Sequence, residues 1–419
     1  MSRTVSGATR RTVLSTTVAA GAVATLGPLA APATARVVAP GGPILKPLPP
    51  EQFVDFGTNA EMRWDAVDPR RRLTEQSRLF VRNHTRTPVI DRDDYVLRLF
   101  GDGLARPRSE GAAVELGWRD LRRLPVTHLT SVHECTGNGR SFFARQQGTP
   151  AAGTAWSLGA VGAVTWTGVR LSDVLRRVGL GHRAVSVQAT GLDDPYVSGG
   201  VDYGRVRRPF PIAKALDDAI LAWGANGEDL LPDHGYPLRL VLPGWVGIAS
   251  IKWLGSLEVS RSELTSPWNT KWYRMTGGDY PTDAPPLTVN PVRSAWELPW
   301  GAELEAGRRV VLTGRSWSGA GPVTRVEVST DGGVTWHPAA RSGHGYGHGH
   351  GHGHGHDRTQ GRDGAWAQWS YVWDRPRAGS HDLLARATDA HGRRQPLVTP
   401  YNDGGYFFDA VVRHPVTVA

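Results

Sequence analysis

Apolar and polar positions along this chain alternate in short runs, and few runs are long enough for an extended helix. Tyr95 to Phe100 reads as a strand stopped by Gly101-Asp102-Gly103. Leu129 to His133 reads as a strand running into Cys135, and Leu238 to Leu242 as one closed by Pro243-Gly244. Trp118 to Leu124 predicts a short helix, and Leu171 to Val178 a second with helical periodicity that stops at Gly179. This mixture predicts an α+β domain over residues 36–285 rather than a regular βαβ array. Near Pro281–Pro291 the pattern changes. Val323 to Ser329 alternates, Asp331-Gly332-Gly333 turns, and Val334-Thr335-Trp336 predicts the returning arm of a hairpin. Trp366 to Trp373 and His381 to Thr388 predict further strands, so residues 286–419 predict an immunoglobulin-like β-sandwich. Residues 36–60 are proline-rich (Pro40, Pro43, Pro47, Pro49, Pro50) and predict an extended arm on the domain surface.

Two segments fall outside this alternation. Residues 1–35 carry Arg10-Arg11, an Ala/Gly-rich apolar stretch from Val13 to about Ala30, and the small-residue pattern Ala33-Thr34-Ala35. Paired arginines there predict a twin-arginine signal, the route for proteins folded around a cofactor before export. The expected location is periplasmic or extracellular. No run of 18 apolar residues occurs, so no stable membrane insertion is expected. Within the second domain, residues 343–357 hold Gly343-His344-Gly345-Tyr346 and then alternating Gly and His to His356. Such a tract cannot pack and predicts a mobile loop. It is either a dispensable repeat or a scavenger of nickel, copper or zinc.

The chain has 48 Lys and Arg against 39 Asp and Glu, a formal charge of +9, and cleavage after Ala35 would lower it by three. Arginine supplies most of the positive charge, which suits a small anionic substrate or a phosphate-bearing cofactor. The charges are interspersed and there is no basic tail, so no nucleic-acid partner is expected.

Cys135 is the only cysteine, in the run His133-Glu134-Cys135-Thr136-Gly137-Asn138-Gly139-Arg140. It cannot form an intramolecular disulfide. An exported spare thiol risks oxidation, so its retention is easiest to explain if a metal occupies the sulfur. Thiolate favours soft metals, and one protein sulfur would need a cofactor to complete the coordination. The competing reading is a buried, inert cysteine.

Several segments together resemble the sulfite oxidase family of molybdenum enzymes, including its sulfane dehydrogenase branch. They are Phe80-Val81-Arg82-Asn83-His84, Cys135 to Arg140, Trp156 to Gly162, Gly191-Leu192-Asp193, Asp233 to Arg239, Pro243 to Gly247 with Ser250 to Trp253, and Asn290 to Ser294. The resemblance implies a sulfite-oxidase-type molybdopterin domain followed by an immunoglobulin-like domain that mediates homodimer formation. It implies one molybdenum-molybdopterin per chain, with Cys135 as the metal ligand. Cofactor contacts carried over are Phe80, Val81, Arg82, Asn83, His84, Asp193, His234, Arg239, Ser250, Ile251 and Lys252. Arg82, Arg140, Trp156 and Tyr273 are carried over as the substrate pocket. The implied activity is oxidation of sulfite to sulfate by oxygen-atom transfer, with electrons passed to an external acceptor such as cytochrome c. Two departures bear on substrate: Gly139 stands for the first of two adjacent arginines, and Gly404 falls where a further pocket arginine aligns. The alternatives are oxidation of another sulfur compound, as in the sulfane dehydrogenase branch, or of an unrelated small oxyanion, or a secreted His-rich metal-binding protein with a vestigial enzyme domain.

Overall fold

The computed structural model describes residues 42–278, 280–341 and 364–419. The expected signal at 1–35 and the His/Gly tract at 343–357 lie outside the described residues. The fold is mostly β. Five α-helices occur among the described residues, none longer than the eight residues of Leu171–Val178. The expected mixture is thus weighted strongly toward strands. Glycine and proline (51 and 30 residues) punctuate the chain too often for long helices.

Leu171–Val178 shows why the short helices form at all. Leu171, Val174 and Leu175 repeat at helical spacing and are buried, and Arg176 and Arg177 occupy the last turn, where cations complement the helix dipole. Gly179 at φ 90° ends the helix, its N–H donating back to the Leu175 and Arg176 carbonyls.

Two sheets carry the N-terminal region. One is mixed, in the order Arg207–Pro211, Ser186–Gly191, Leu254–Ser260, Val96–Phe100, Val114–Gly117, with only the Leu254–Ser260 and Val96–Phe100 pair parallel. The other is antiparallel, in the order Glu228–Asp229, Ile220–Ala225, Val161–Arg170, Val126–Glu134, and Arg239–Val241 also pairs with Ile220–Ala225. Val126–Glu134 runs opposite Val161–Arg170 in unbroken register, so Cys135 emerges directly past the last pair, Glu134 with Val161.

The C-terminal region packs a four-stranded sheet (Arg293–Trp296, Val310–Trp317, Ala367–Trp373, Ala340–Arg341) against a five-stranded one (Ala302–Leu304, His414–Val418, Gly379–Asp389, Val323–Ser329, His337–Pro338). Trp296, Leu312 and Trp369 from the first meet Val326, Leu383 and Val416 from the second in one core, which makes a β-sandwich. A separate core cluster joins the two regions: Trp64, Phe142 and Val161 pack with Trp317, Trp366 and Phe408. The Trp64 indole N–H donates to the Trp296 carbonyl, and that of Trp366 to the Arg72 carbonyl, both at 2.6 Å. No helix among the described residues is long and apolar enough to cross a membrane.

Two sequence expectations are corrected. The hairpin returns at His337–Pro338, not at Val334–Trp336. The Asp331 carboxylate accepts the Thr335 N–H at 2.9 Å and the Ser329 hydroxyl at 2.6 Å, which holds the intervening residues in a turn. The proline-rich arm does not simply lie on the surface. Its Leu45 and Lys46 N–H groups donate to the Asp233 carboxylate at 3.0 and 2.6 Å, and Phe53–Asp55 pairs with Asn59–Met62 as a strand.

Candidate active site

The turn after Val126–Glu134 holds the single thiol. Cys135 N–H donates to the Ala160 carbonyl at 2.9 Å, and Asn138 N–H to the Cys135 carbonyl at 2.9 Å. The Asn138 side chain clasps both flanks, accepting from Ala160 N–H and donating to Glu134 at 2.9 Å. Gly247 crosses behind this turn: a Cβ there would stand 2.7 Å from the Glu134 carbonyl oxygen, so only glycine permits the approach. Cys135 opens into a cavity of about 710 Å³. Burial pushes its thiol up, while Arg82 and Arg140 pull it down.

The floor of the cavity is basic and buried. Arg239 is buried, donating to the His234 carbonyl at 2.9 Å and the Ser250 carbonyl at 3.2 Å, with His133 Nε2 also at 3.2 Å. Its guanidinium lies 4.8 Å from the Trp166 ring, and its Nε has no partner. Burial lowers this guanidinium to about 9. The Lys252 ammonium donates to the Asn83 side-chain oxygen and to the Asp233 carbonyl. Burial, and then the charge of Arg239, hold it well below the ordinary lysine range. His84, His133 and His234 are each held well below the ordinary imidazole range, by burial first and by neighbouring cations second. His234 donates through Nε2 to the Gln76 carbonyl at 2.9 Å, while His84 Nε2 accepts the Trp268 indole N–H at 3.0 Å. Asp193 is buried at the far side, its carboxyl raised by burial to about 6.

Of the residues singled out from sequence, Phe80, Arg82, Asn83, His84, Cys135, Asp193, His234, Arg239, Ser250, Ile251, Lys252 and Tyr273 line this one cavity. Three do not. Val81 is fully buried on the opposite face of its strand, packed with Ile44, Phe53 and Ala60, because neighbours in a strand point to opposite sides. Trp156 is fully buried behind Phe80, with ring centroids 6.4 Å apart. Arg140 is anchored through two of its nitrogens: Nε donates to the Gly404 carbonyl at 2.9 Å and Nη1 to the Thr154 carbonyl at 2.8 Å.

The sequence reading missed His133, Thr136, Asp233 and Trp253, which also line the cavity. His133 carried a usable signal, since it lies near the end of the strand that leads directly into Cys135. Trp253 and Tyr273 sit at φ 49° and 58°, a left-handed backbone that residues with large rings rarely take.

The donor set decides what this cavity can hold. Among the described residues no group of three or more His, Cys, Asp or Glu is arranged around a metal. A metal at Cys135 therefore needs donors from a non-protein group. Such a group would be anionic, because the Arg239 guanidinium is buried with Lys252 in the same cavity, and among the described residues Arg239 Nε and Thr136 Oγ1 are buried without a hydrogen-bond partner. A pterin dithiolene with a phosphate fits this donor set: Cys135 would hold the metal, Arg239 and Lys252 would suit the phosphate, and Asp193 would accept from ring N–H groups.

Residues 84–268 match the family profile described as oxidoreductase molybdopterin binding domain, and residues 291–412 the one described as Mo-co oxidoreductase dimerisation domain. Mitochondrial sulfite oxidase of Rattus norvegicus is 35% identical over 306 residues, covering 68% of this chain and 53% of the relative. Sulfite oxidase of Gallus gallus is 33% identical over 369 residues, covering 83% and 74%. Nitrate reductase [NADH] of Ulva prolifera is 31% identical over 356 residues, covering 78% and 38%. The chain thus spans about half the length of the mammalian relatives it matches. Among solved structures, the sulfane dehydrogenase SoxCD from Paracoccus pantotrophus superposes with a TM-score of 0.69 at 25% identity, covering 86% of each chain.

Proposed function

This chain belongs to the sulfite oxidase family of molybdopterin oxidoreductases, and from that premise we propose that it oxidises sulfite to sulfate and passes the electrons to an external acceptor such as a c-type cytochrome. The observation that carries the reading is the division of the cavity. Arg239 and Lys252 lie buried and form no ion pair among the described residues, and Arg82 and Tyr273 line the same space as the Cys135 thiol. When bound, the molybdenum cofactor supplies the transferable oxygen and takes up two electrons.

The protein's own residues bind and orient. Arg82, whose Nη1 donates to the Asn83 carbonyl at 2.5 Å, presents its remaining N–H groups to an oxyanion. Arg140 adds positive charge from behind the Tyr273 side, close enough to be felt at the thiol. Burial raises the Tyr273 phenol, so it stays protonated and donates a hydrogen bond. Tight burial of the floor keeps bulk water away from the basic groups and strengthens their hold on an anion.

The same reading extends to the whole chain. Residues 36–285 form the molybdopterin domain and residues 286–419 an immunoglobulin-like dimerisation domain, a division supported by the two matched profiles. The matched dimerisation profile favours a homodimer. Export by the twin-arginine route to the periplasm or beyond rests on Arg10-Arg11 and Ala33-Thr34-Ala35. A sulfane substrate is the second reading, favoured by the overlay on a sulfane dehydrogenase along 86% of both chains.

The test is sulfite-dependent reduction of cytochrome c by the purified protein, with molybdenum quantified in the same sample. Turnover at near one molybdenum per chain supports the proposal. Full molybdenum without turnover overturns sulfite as substrate and leaves the cofactor assignment standing.

A further inference from the structure

We propose that Tyr406, contributed by the C-terminal region, is a positioning residue of the substrate pocket that holds Tyr273 and Arg140 in place for an anionic substrate. The inference rests on the oxyanion reading above. The Tyr406 ring stacks on Tyr273 with centroids 5.2 Å apart and planes at 21°. Its other neighbour is Arg140, whose guanidinium lies 5.5 Å from the Tyr406 ring. One aromatic side chain therefore touches both groups.

Both need holding. Tyr273 takes a left-handed backbone at φ 58°, which a ring-bearing residue keeps only where its surroundings enforce it. The Leu287 N–H bond to the Tyr273 carbonyl, 2.8 Å, fixes the backbone from one side, and the stacked ring fixes the side chain from the other. Among the described residues Arg140 has no ion-pair partner that would orient it. Its Nε and Nη1 bond backbone carbonyls, and the direction of its remaining N–H groups depends on the walls around it.

Tyr406 in turn is fixed by the strap that bears it. Its N–H donates to the Asn402 side-chain oxygen at 2.9 Å, and its carbonyl accepts from the Asn402 amide at 2.9 Å, with Asn402 fully buried. The next residue, Phe407, donates its N–H to the Thr136 carbonyl at 3.0 Å, one residue past Cys135. Asp403 N–H reaches the Thr276 carbonyl at 2.9 Å. Glycines make the approach feasible. A Cβ on Gly404 would stand 2.4 Å from the Tyr406 ring, and one on Gly405, at φ 55°, would stand 2.6 Å from Arg140 Cγ. The strap thus ties the thiol turn, the arginine and the tyrosine into one unit.

The holoenzyme variants Y406A and Y406F test this. KM and kcat for sulfite, the dissociation constant for inorganic sulfate by calorimetry, molybdenum content, and a crystal structure of Y406A are compared with wild type. In Y406A, KM and the sulfate dissociation constant should rise about 3- to 10-fold, as expected for loss of a stacked pair, with kcat within about twofold. Y406F keeps the stacked ring but loses the hydrogen bond of the Tyr406 phenol to the Tyr273 backbone, so its defect should be smaller than that of Y406A. An unchanged KM in Y406A, or an equal defect in Y406F, overturns the proposal. So does a fall in kcat and molybdenum with KM unchanged, which marks a structural role. If wild type neither oxidises sulfite nor binds sulfate, the substrate reading has failed and the crystal structure decides. Tyr273 leaving the left-handed region in Y406A then supports the positioning role, and an undisturbed Tyr273 overturns it.

Discussion

Arg293 Nε lies 3.4 Å from the Glu134 carboxylate, with both side chains buried. Glu134 immediately precedes the thiol and Arg293 opens the first strand of the C-terminal sandwich. Arg293 Nη1 also donates to the Asn138 carbonyl at 2.7 Å, and the Trp317 indole N–H donates to the other Glu134 oxygen at 3.0 Å. The sandwich therefore grips the Cys135 turn at both its start and its end. A region matched as a dimerisation domain is also part of the frame of the cavity.

Breaking this pair from one side should be costly. R293M leaves the Glu134 charge buried without its cation, which is expected to cost about 3–5 kcal/mol. The double variant E134Q/R293M removes both charges and should recover part of that loss. Urea denaturation of the three proteins checks the order, and a single variant as stable as wild type contradicts it.

Glu61 gives a pH prediction. It is buried, its carboxylate accepts the Ser157 N–H at 2.8 Å and the Ser157 hydroxyl at 2.9 Å, and burial raises its carboxyl to about 7 despite those bonds. The folded value is above the unfolded one, so the folded protein binds the extra proton. Its contribution to stability is fully present below about pH 4.5, and is lost as pH rises through about 7. A shift of this size corresponds to roughly 3 kcal/mol. Unfolding free energy measured between these limits should fall more steeply in wild type than in E61Q. Parallel curves would show that Glu61 is not protonated in the fold.

Much of the fold was legible because its signals are local. The helix Leu171–Val178 and the strand Val323–Ser329 carry their own periodicity and end signals, and both appear at the expected residues. The hairpin return was misplaced because Asp331 controls it through side-chain bonds to Thr335 that alternation does not encode. In the site, the contiguous motif Phe80 to His84 brought in Val81, although the strand turns that residue away from the cavity. Tyr406 was illegible for a different reason. Its role depends on contact with Tyr273 and Arg140, which are far away in sequence; Gly404 beside it marked the segment as part of the pocket, but nothing local shows which ring it meets.

The basic floor makes removal of the cofactor testable. Lys252 is buried beside Arg239, so without an anion burial first and the Arg239 charge second make its charged form costly. Replacing the ammonium by an uncharged thioether, K252M, should lower pterin and molybdenum content together. In cofactor-free protein it should change stability by less than about 1 kcal/mol, because removing an uncompensated charge offsets the lost bonds to Asn83 and Asp233. C135S should purify folded with at least roughly tenfold less molybdenum. Metal analysis and thermal melting of both variants check this. Full molybdenum in C135S would remove the thiol from the metal site.

Arg82 separates the two sides of the cavity. Its Nη1 is fixed on the Asn83 carbonyl at 2.5 Å and its Nη2 sits 3.1 Å from His84 Nε2, so the guanidinium is held between the cofactor-facing residues and Tyr273. Charge-assisted hydrogen bonds contribute about 1.5–3 kcal/mol each, so R82Q should raise KM for sulfite roughly 10- to 100-fold. Molybdenum content decides what that rise means. Content equal to wild type places Arg82 on the substrate, since only the anion has lost its partner. Content that falls in step with activity places it on the cofactor, and the substrate would then depend on Tyr273 and on the charge of Arg140 for its binding.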